Sequence, residues 1–530
     1  MQPCIAQDSL RGSITPERAW WDVLKYDITV EPDAINKSIT GSNIITFKAI
    51  MPGNRMQIDL QEPMEIVEII EKGEGRREKG EGKTKNVSFQ RHKNVYYLDF
   101  KNEIKKGAVC ALQIKFAGVP QEAVSPPWDG GWIWKHDKNG NPWISVACQS
   151  LGASIWYPCK DYQGDEPDSA LLSIIVPDTL VAVGNGRLRN KSDAGYNKAK
   201  YSWAVTNPIN NYNIIPYIGN YVHWSENYKG EKGDLTLDYW ALKEDEEKAK
   251  KQFTQVPLMM KCFEYWFGPY PFYADGYKLV EAPHLGMEHQ SAIAYGNKFG
   301  NGYLGKDRSG TGWGNKWDYI IVHESGHEWF GNNITTNDIA DLWVHEGFTS
   351  YSETLYTECQ SGKQAGYEYN IGLRRIIKND KRITGKYGMN EEGSTDMYEK
   401  GATLVHMIRE IVNDDEKFRQ MLRGMNTTFY HKTVTGADIE QYINSMAGRN
   451  LSKVFDQYLR TANIPVLQYK FDNGNLAYRW SNCVEGFDMP VKIITDKDIW
   501  IYPGESWKTV PVTSSTITVN PNFYVASSKM

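Results

Sequence analysis

The chain has 530 residues, a formal net charge of −5 and ordinary shares of hydrophobic (41%) and charged (24%) residues, as a soluble globular protein of about three domains would have. Acidic and basic residues are mixed along it, which excludes the concentrated basic face of a nucleic-acid binder. No run of 18 apolar residues occurs, so no transmembrane helix is predicted.

From about residue 20 to 205 the pattern is of short strands rich in β-branched and aromatic residues. Examples are Lys25–Val30, Asn43–Lys48, Val95–Phe100 and Leu171–Val176, all bounded by turn residues. Before them, Met1–Gln7 (MQPCIAQ) lacks a basic region and a long apolar core. It reads either as the tail of a cut signal peptide or as a frayed terminus, and a periplasmic or secreted place is expected ahead of a cytoplasmic one. Residues 71–86 (EKGEGRREKGEGKTKN) read as a solvated loop of mixed charge. In Trp128–Trp143 (WDGGWIWKHDKNGNPW), Trp128, Trp132 and Trp134 suggest either a substrate-pocket lining or a hairpin packed on its own domain.

The texture changes after Asn207-Pro208. One strand, Leu235–Leu242, is followed by helical patterns over Lys243–Phe267, with a break expected at Pro257. Further helices are expected over Asp318–Phe330, with Asp318 as N-cap, and over Glu346–Cys359, Lys400–Val412, Glu416–Arg423 and Ala437–Ser445. Residues 464–530 return to strands. The reading is a multidomain α+β chain: an N-terminal β-sheet saddle or sandwich (1–208), a catalytic domain (209–460) and a small C-terminal β-sandwich (461–530). The seven cysteines are scattered, with no CxxC pair, so no disulfide scaffold is expected.

The chemistry concentrates at His323-Glu324-Ser325-Gly326-His327. On a helix, positions i and i+4 share a face, so His323 and His327 can direct their imidazoles at one zinc ion. Glu324 is offset by roughly 100° and is placed to take a proton from the attacking water. A catalytic zinc needs a third protein ligand and one open position. Glu346, 19 positions after His327, opens the next helical pattern and supplies it. Asp338 and Asp341 lie between, and each is either a hydrogen-bond partner of a ligand imidazole or a helix-capping or loop acid.

The stretch His323–Glu353 (HESGHEWFGNNITTNDIADLWVHEGFTSYSE) resembles the aminopeptidase N type of zinc metallopeptidases, a gluzincin family that includes leukotriene-hydrolase-like members. The resemblance implies a thermolysin-like catalytic domain between two β domains, in a bacterial-like short form without the large C-terminal helical domain. It implies one zinc ion on His323, His327 and Glu346, and Glu324 as general base and acid. Leu285-Gly286-Met287-Glu288-His289 is similar to the family's Gly-x-Met-Glu-Asn, whose Glu binds the substrate's α-amino group. Glu288 takes that role by resemblance, and Met287 borders the pocket for the first side chain. Tyr398, in Tyr398-Glu399-Lys400-Gly401-Ala402, matches the family's oxyanion donor. Gln149, in Ala147-Cys148-Gln149-Ser150, matches a second amine contact. Leu285, His289 and His345 depart from the pattern, and His345 neighbours a metal ligand. The implied activity is removal of N-terminal residues from peptides with a free N-terminus. A leukotriene-hydrolase-like epoxide hydrolase, a non-catalytic peptide-binding protein and a thermolysin-type endopeptidase are the other readings. The first ranks below because Glu288 supplies the amine anchor. The second ranks below because every ligand and the base are present. The third gives no reason to keep Met287-Glu288 or Tyr398-Glu399-Lys400-Gly401.

Overall fold

The computed structural model describes residues 12–72 and 85–530; Met1–Gln7 and most of the charged Gly-rich run lie outside them. By contacts the chain divides into two compact units. One comprises Met1–Leu258, Tyr270–Gly300 and Gly388–Asn390, and the other Met259–Pro269, Asn301–Tyr387 and Glu391–Met530.

The first unit is built on sheets. Its largest has eight strands, with Trp21–Asp33 near the middle, antiparallel to Ser38–Ala49 and parallel to Ser169–Pro177. Buried positions alternate with less buried ones along Trp21–Asp33, the period of two that puts Val23, Ile28 and Val30 into the core. The hairpin Gly131–His136/Pro142–Ala147 carries the Trp-rich segment. Trp132 stacks on Trp134 at 5.0 Å and meets Trp156 edge-on, both deep in the core, whereas Trp128 is 67% exposed. A five-stranded mixed sheet runs from Tyr221–Gly230 through Gly233–Leu242, Tyr277–Glu281 and Ile293–Tyr295 to the short edge Gly286–Met287.

The second unit is mainly helical and closes in two small sheets of four and three strands, between Val466 and Lys529. The break expected at Pro257 comes just before it, in the 3-10 turn Phe253–Gln255 that separates Glu246–Gln252 from Val256–Phe267, and Pro257 sits in the first turn of the second helix. The helix Lys363–Leu373 was not expected from the pattern. Two helices matter most for the site: the long helix Trp343–Ser361 and the helix Glu399–Val412. They cross backbone to backbone. A Cβ on Gly401 would lie 2.9 Å from the Gly347 Cα, and one on Gly347 would lie 3.2 Å from the Gly401 Cα. Only glycine on both sides permits that approach. Among the described residues one disulfide, Cys262–Cys359, ties the helix Val256–Phe267 to the far end of the long helix.

Candidate metal centre and active site

The motif helix is Tyr319–Gly326, shorter than the pattern suggests. Asp318 caps it, accepting from the Ile320 and Ile321 amides, a contribution of about 1 kcal/mol. Every residue of the helix is buried, so apolar periodicity could not mark where it ends. The chain leaves the helix after His327. Phe330 is extended (φ −126°, ψ 94°) and Gly331 has φ +130°. This turn brings the Phe330 carbonyl to the His327 Nδ1–H, at 3.0 Å. A Cβ on Gly331 would press on that same Nδ1 at 3.2 Å, which accounts for the glycine in Trp329-Phe330-Gly331-Asn332.

His323 donates from Nδ1 to Glu353 Oε1 at 2.7 Å, and Glu353 Oε2 accepts from Tyr369 Oη at 2.6 Å. A carboxylate only accepts, so the proton sits on Nδ1 and the lone pair on Nε2. The Phe330 carbonyl fixes His327 in the same tautomer. Both Nε2 atoms face Glu346 Oε2, at 3.6 Å from His323 and 3.4 Å from His327. The three ligand atoms lie within 4.8 Å of one another, and all three residues are buried.

The donor set fits zinc. Glu346 Oε2 is a buried carboxylate oxygen that makes no hydrogen bond, which costs stability unless a cation meets it. Burial resists the charge on Glu346, but the two histidines outweigh it and hold its carboxyl well below the usual range. Burial likewise resists an imidazolium at His323, yet the facing carboxylates of Glu346 and Glu353 lift it to about 10. The cluster therefore demands positive charge at its centre, and a divalent cation supplies it in place of a proton. His323, His327 and Glu346 would hold one zinc ion, three protein ligands being what a catalytic zinc takes.

Asp338 and Asp341 do not touch the ligands. Asp338 accepts from the Ala340 amide and caps a short 3-10 turn, while Asp341 accepts from the Gly436 amide and Tyr387 Oη. The carboxylate that orients a ligand imidazole is Glu353. It stands seven residues after Glu346 on one helix, within about 20° of the same face, a signal present in the sequence. His345 is fully buried. Its Nε2 accepts from the Thr336 amide at 2.9 Å, and burial pushes it down to about 3.

Tyr398 immediately precedes the helix Glu399–Val412, and its ring stacks on His323 at 6.0 Å. Tyr319 stacks on the same imidazole at 5.2 Å. Glu324, on the motif helix, is buried. The second unit thus gathers His323, Glu324, His327, Glu346 and Tyr398. The first unit gathers Gln149, Met287 and Glu288. There Glu288, 3% exposed, accepts from Gln149 Nε2 at 2.6 Å and from Tyr212 Oη at 3.0 Å. Tyr212 carried no signal in the sequence. Met287 is buried at the sheet edge, and His289 is fully buried against Tyr217 Oη.

A model of the peptidase M1 N-terminal domain matches residues 23–212, and a model of the peptidase family M1 domain matches residues 254–458. The chain belongs to peptidase family M1. Among curated relatives, aminopeptidase 2 of Candida albicans is 20% identical over 479 residues, covering 86% of this chain and 48% of its own length. Probable aminopeptidase 1 of Saccharolobus solfataricus is 22% identical over 73% of this chain and 48% of its own length. Leukotriene A-4 hydrolase of Xenopus laevis is 24% identical over 64% of this chain and 57% of its own length. The chain spans about half the length of these M1 relatives. Among solved structures, a mutant M1 zinc metallopeptidase from Deinococcus radiodurans, bound to a Tyr-Ser-Ala substrate, shares the fold. It has a TM-score of 0.67 at 19% identity, over 86% of this chain and 98% of that one. A two-domain M1 zinc metallopeptidase mutant bound to L-arginine gives 0.63 at 18% identity, over 81% and 92%.

Proposed function

We propose that this chain is a zinc aminopeptidase that removes N-terminal residues from peptides. Zinc on His323, His327 and Glu346 supplies a Lewis acid for the scissile carbonyl and lowers the pKa of a water toward about 7. Glu324 takes a proton from the attacking water and returns it to the leaving amine. Tyr398 donates its hydroxyl to the developing oxyanion, the kind of contact that supplies a few kcal/mol in the transition state. The observation that carries the exopeptidase reading is Glu288. It is a buried carboxylate held by the uncharged donors Gln149 and Tyr212, and a carboxylate so placed pairs with an ammonium group. Met287 borders the pocket for the first side chain. The relatives named as aminopeptidases and the family member solved with Tyr-Ser-Ala support the same reading.

A panel of aminoacyl-chromogenic substrates, assayed with and without a chelator, tests it. Chelator-sensitive turnover is expected, and Glu288→Ala should cripple it. Absence of turnover on every member would remove the claim, and normal turnover by Glu288→Ala would remove the amine-anchor role. A periplasmic or secreted location belongs to the same proposal. The Cys262–Cys359 disulfide supports it, since such bonds persist in oxidising compartments. Cell fractionation checks it, and recovery from the cytosol alone would reject it.

A further inference from the structure

Close to the metal site, the second unit holds a half-buried arginine that the proposed mechanism does not use. Arg308 donates from Nη1 to Tyr319 Oη and from Nη2 to Glu399 Oε1. Its guanidinium carbon lies 5.2 Å from the centre of the Tyr319 ring and 5.6 Å from that of Tyr303. Tyr319 and Tyr398 each stack on the His323 ring, which links the three rings with tilts of 13° and 24° at the two junctions. Glu399 is the residue after Tyr398 and the first of its helix. One guanidinium is therefore bonded to one of the two tyrosines and to the chain neighbour of the other. The ring they share is a zinc ligand.

Arg308 is itself held. Asp307 accepts from the Ser309 and Gly312 amides, which folds the loop around the arginine. Arg375 Nη2 donates to the Arg308 carbonyl at 2.6 Å. Burial opposes its charge, but Tyr319 and Glu399 outweigh that and hold the guanidinium more firmly protonated than usual.

We propose that Arg308 is a positioning residue that clamps the Tyr319–His323–Tyr398 stack. It fixes the angle of a zinc ligand and the place of the oxyanion donor with one planar fork. The inference rests on the zinc aminopeptidase reading for its effect on rate. A bidentate fork is the feature that matters, because two donors in a rigid plane set two partners at once. Lysine carries the same charge without the fork. Arg308→Lys therefore separates clamping from mere neutralisation of Glu399.

The test compares wild type, Arg308→Lys, Tyr319→Phe and the double variant. It measures metal content, melting temperature, kcat and KM on an aminoacyl anilide, and the visible spectrum of the cobalt(II)-substituted protein. Arg308→Lys should keep one equivalent of metal and a KM within about threefold. Its kcat should fall about 10- to 100-fold, the scale of a sub-ångström to 1 Å misplacement, and its cobalt bands should shift. Tyr319→Phe keeps the ring but loses both the arginine bond and the Oη contact to His323 Nδ1 at 3.3 Å, so it should lower kcat at least as far as Arg308→Lys, and the double variant should fall little below Tyr319→Phe alone. A folded, metal-loaded Arg308→Lys with wild-type kcat and an unshifted cobalt spectrum overturns the clamp. So does a fall in kcat that only follows loss of metal or of melting temperature. If wild type hydrolyses no aminoacyl substrate, the aminopeptidase reading fails, while the cobalt spectra still decide the clamp.

Discussion

Replacing Glu353 should weaken the zinc site without removing a zinc ligand. Its carboxylate is almost fully buried, with Oε1 2.7 Å from His323 Nδ1 and Oε2 2.6 Å from Tyr369 Oη. Glu353→Ala deletes both bonds, frees the imidazole to turn and removes the negative charge that makes His323 a better donor. Loss of such an orienting carboxylate typically costs 10- to 100-fold in metal affinity, or about 1.4 to 2.7 kcal/mol. Glu353→Gln keeps the shape. Its carbonyl can still accept from His323 Nδ1–H, and its amide can donate to Tyr369 Oη. Only the charge-assisted part of the bond is lost, so the fall should be about tenfold or less. Competition with a fluorescent zinc chelator at fixed pH measures both. The expected order of affinity is wild type, then Glu353→Gln, then Glu353→Ala. An alanine variant that binds zinc within about twofold of wild type would refute the reasoning, because Glu353 would then not be orienting His323.

The other predictions concern the frame around that site. The Cys262–Cys359 bridge closes a loop of 97 residues, so the Cys262→Ser/Cys359→Ser pair should lose about 4–5 kcal/mol on chain-entropy grounds. Reductant should lower the melting temperature of wild type but not of that variant, and an equal response in both would contradict this. Gly401→Ala puts a methyl 2.9 Å from the Gly347 Cα; the two helices must part, at about 1–3 kcal/mol, which urea unfolding would read as a lower midpoint. An unmoved midpoint would mean that the crossing is looser than described. Burial pushes His284 down to about 4 and His406 down to about 3. Between roughly pH 6.5 and those values the unfolded chain binds protons that the fold refuses, so stability falls as pH falls through that window. His406→Gln should lose less stability than wild type between pH 7 and about 4.5 by urea titration; parallel losses would reject the assignment.

His323 and His327 were legible from residue spacing because an i, i+4 pair on a helix is a local geometric fact, and Glu346 because it opens the next helical pattern. The strands and most helices were legible for the same reason, since their periods are written within a few residues. What failed was either uniform burial or long-range contact. Trp329 and Phe330 extend the apolar pattern of the motif helix, yet the chain has already turned at Gly331, and a segment buried on all sides gives no period to mark the change. For Asp338 and Asp341 spacing left two readings open, and the contacts decide for the capping or loop acid, since both accept from backbone amides. Glu353 was open to inference, being in register with Glu346 on one helix. Tyr212 and Arg308 were not. Each reaches its partner across a gap that no local pattern records, Tyr212 to Glu288 over 76 positions and Arg308 to Glu399 over 91.

The long helix Trp343–Ser361 carries Glu346 in its first turn, Glu353 two turns on and Cys359 near its end. Over its 19 residues it is a rod about 28 Å long, with a metal ligand, the orienting acid of a second ligand and a covalent tie marked along it. Sliding the rod by one helical turn, about 5.4 Å, would put all three marks out of register together, and a covalent bond at one end forbids the slide. The metal site therefore cannot be tuned by degrees through sliding of this element. Any graded change that reaches the metal site through this helix must come from its side chains, as at Glu353, and not from movement of the rod itself.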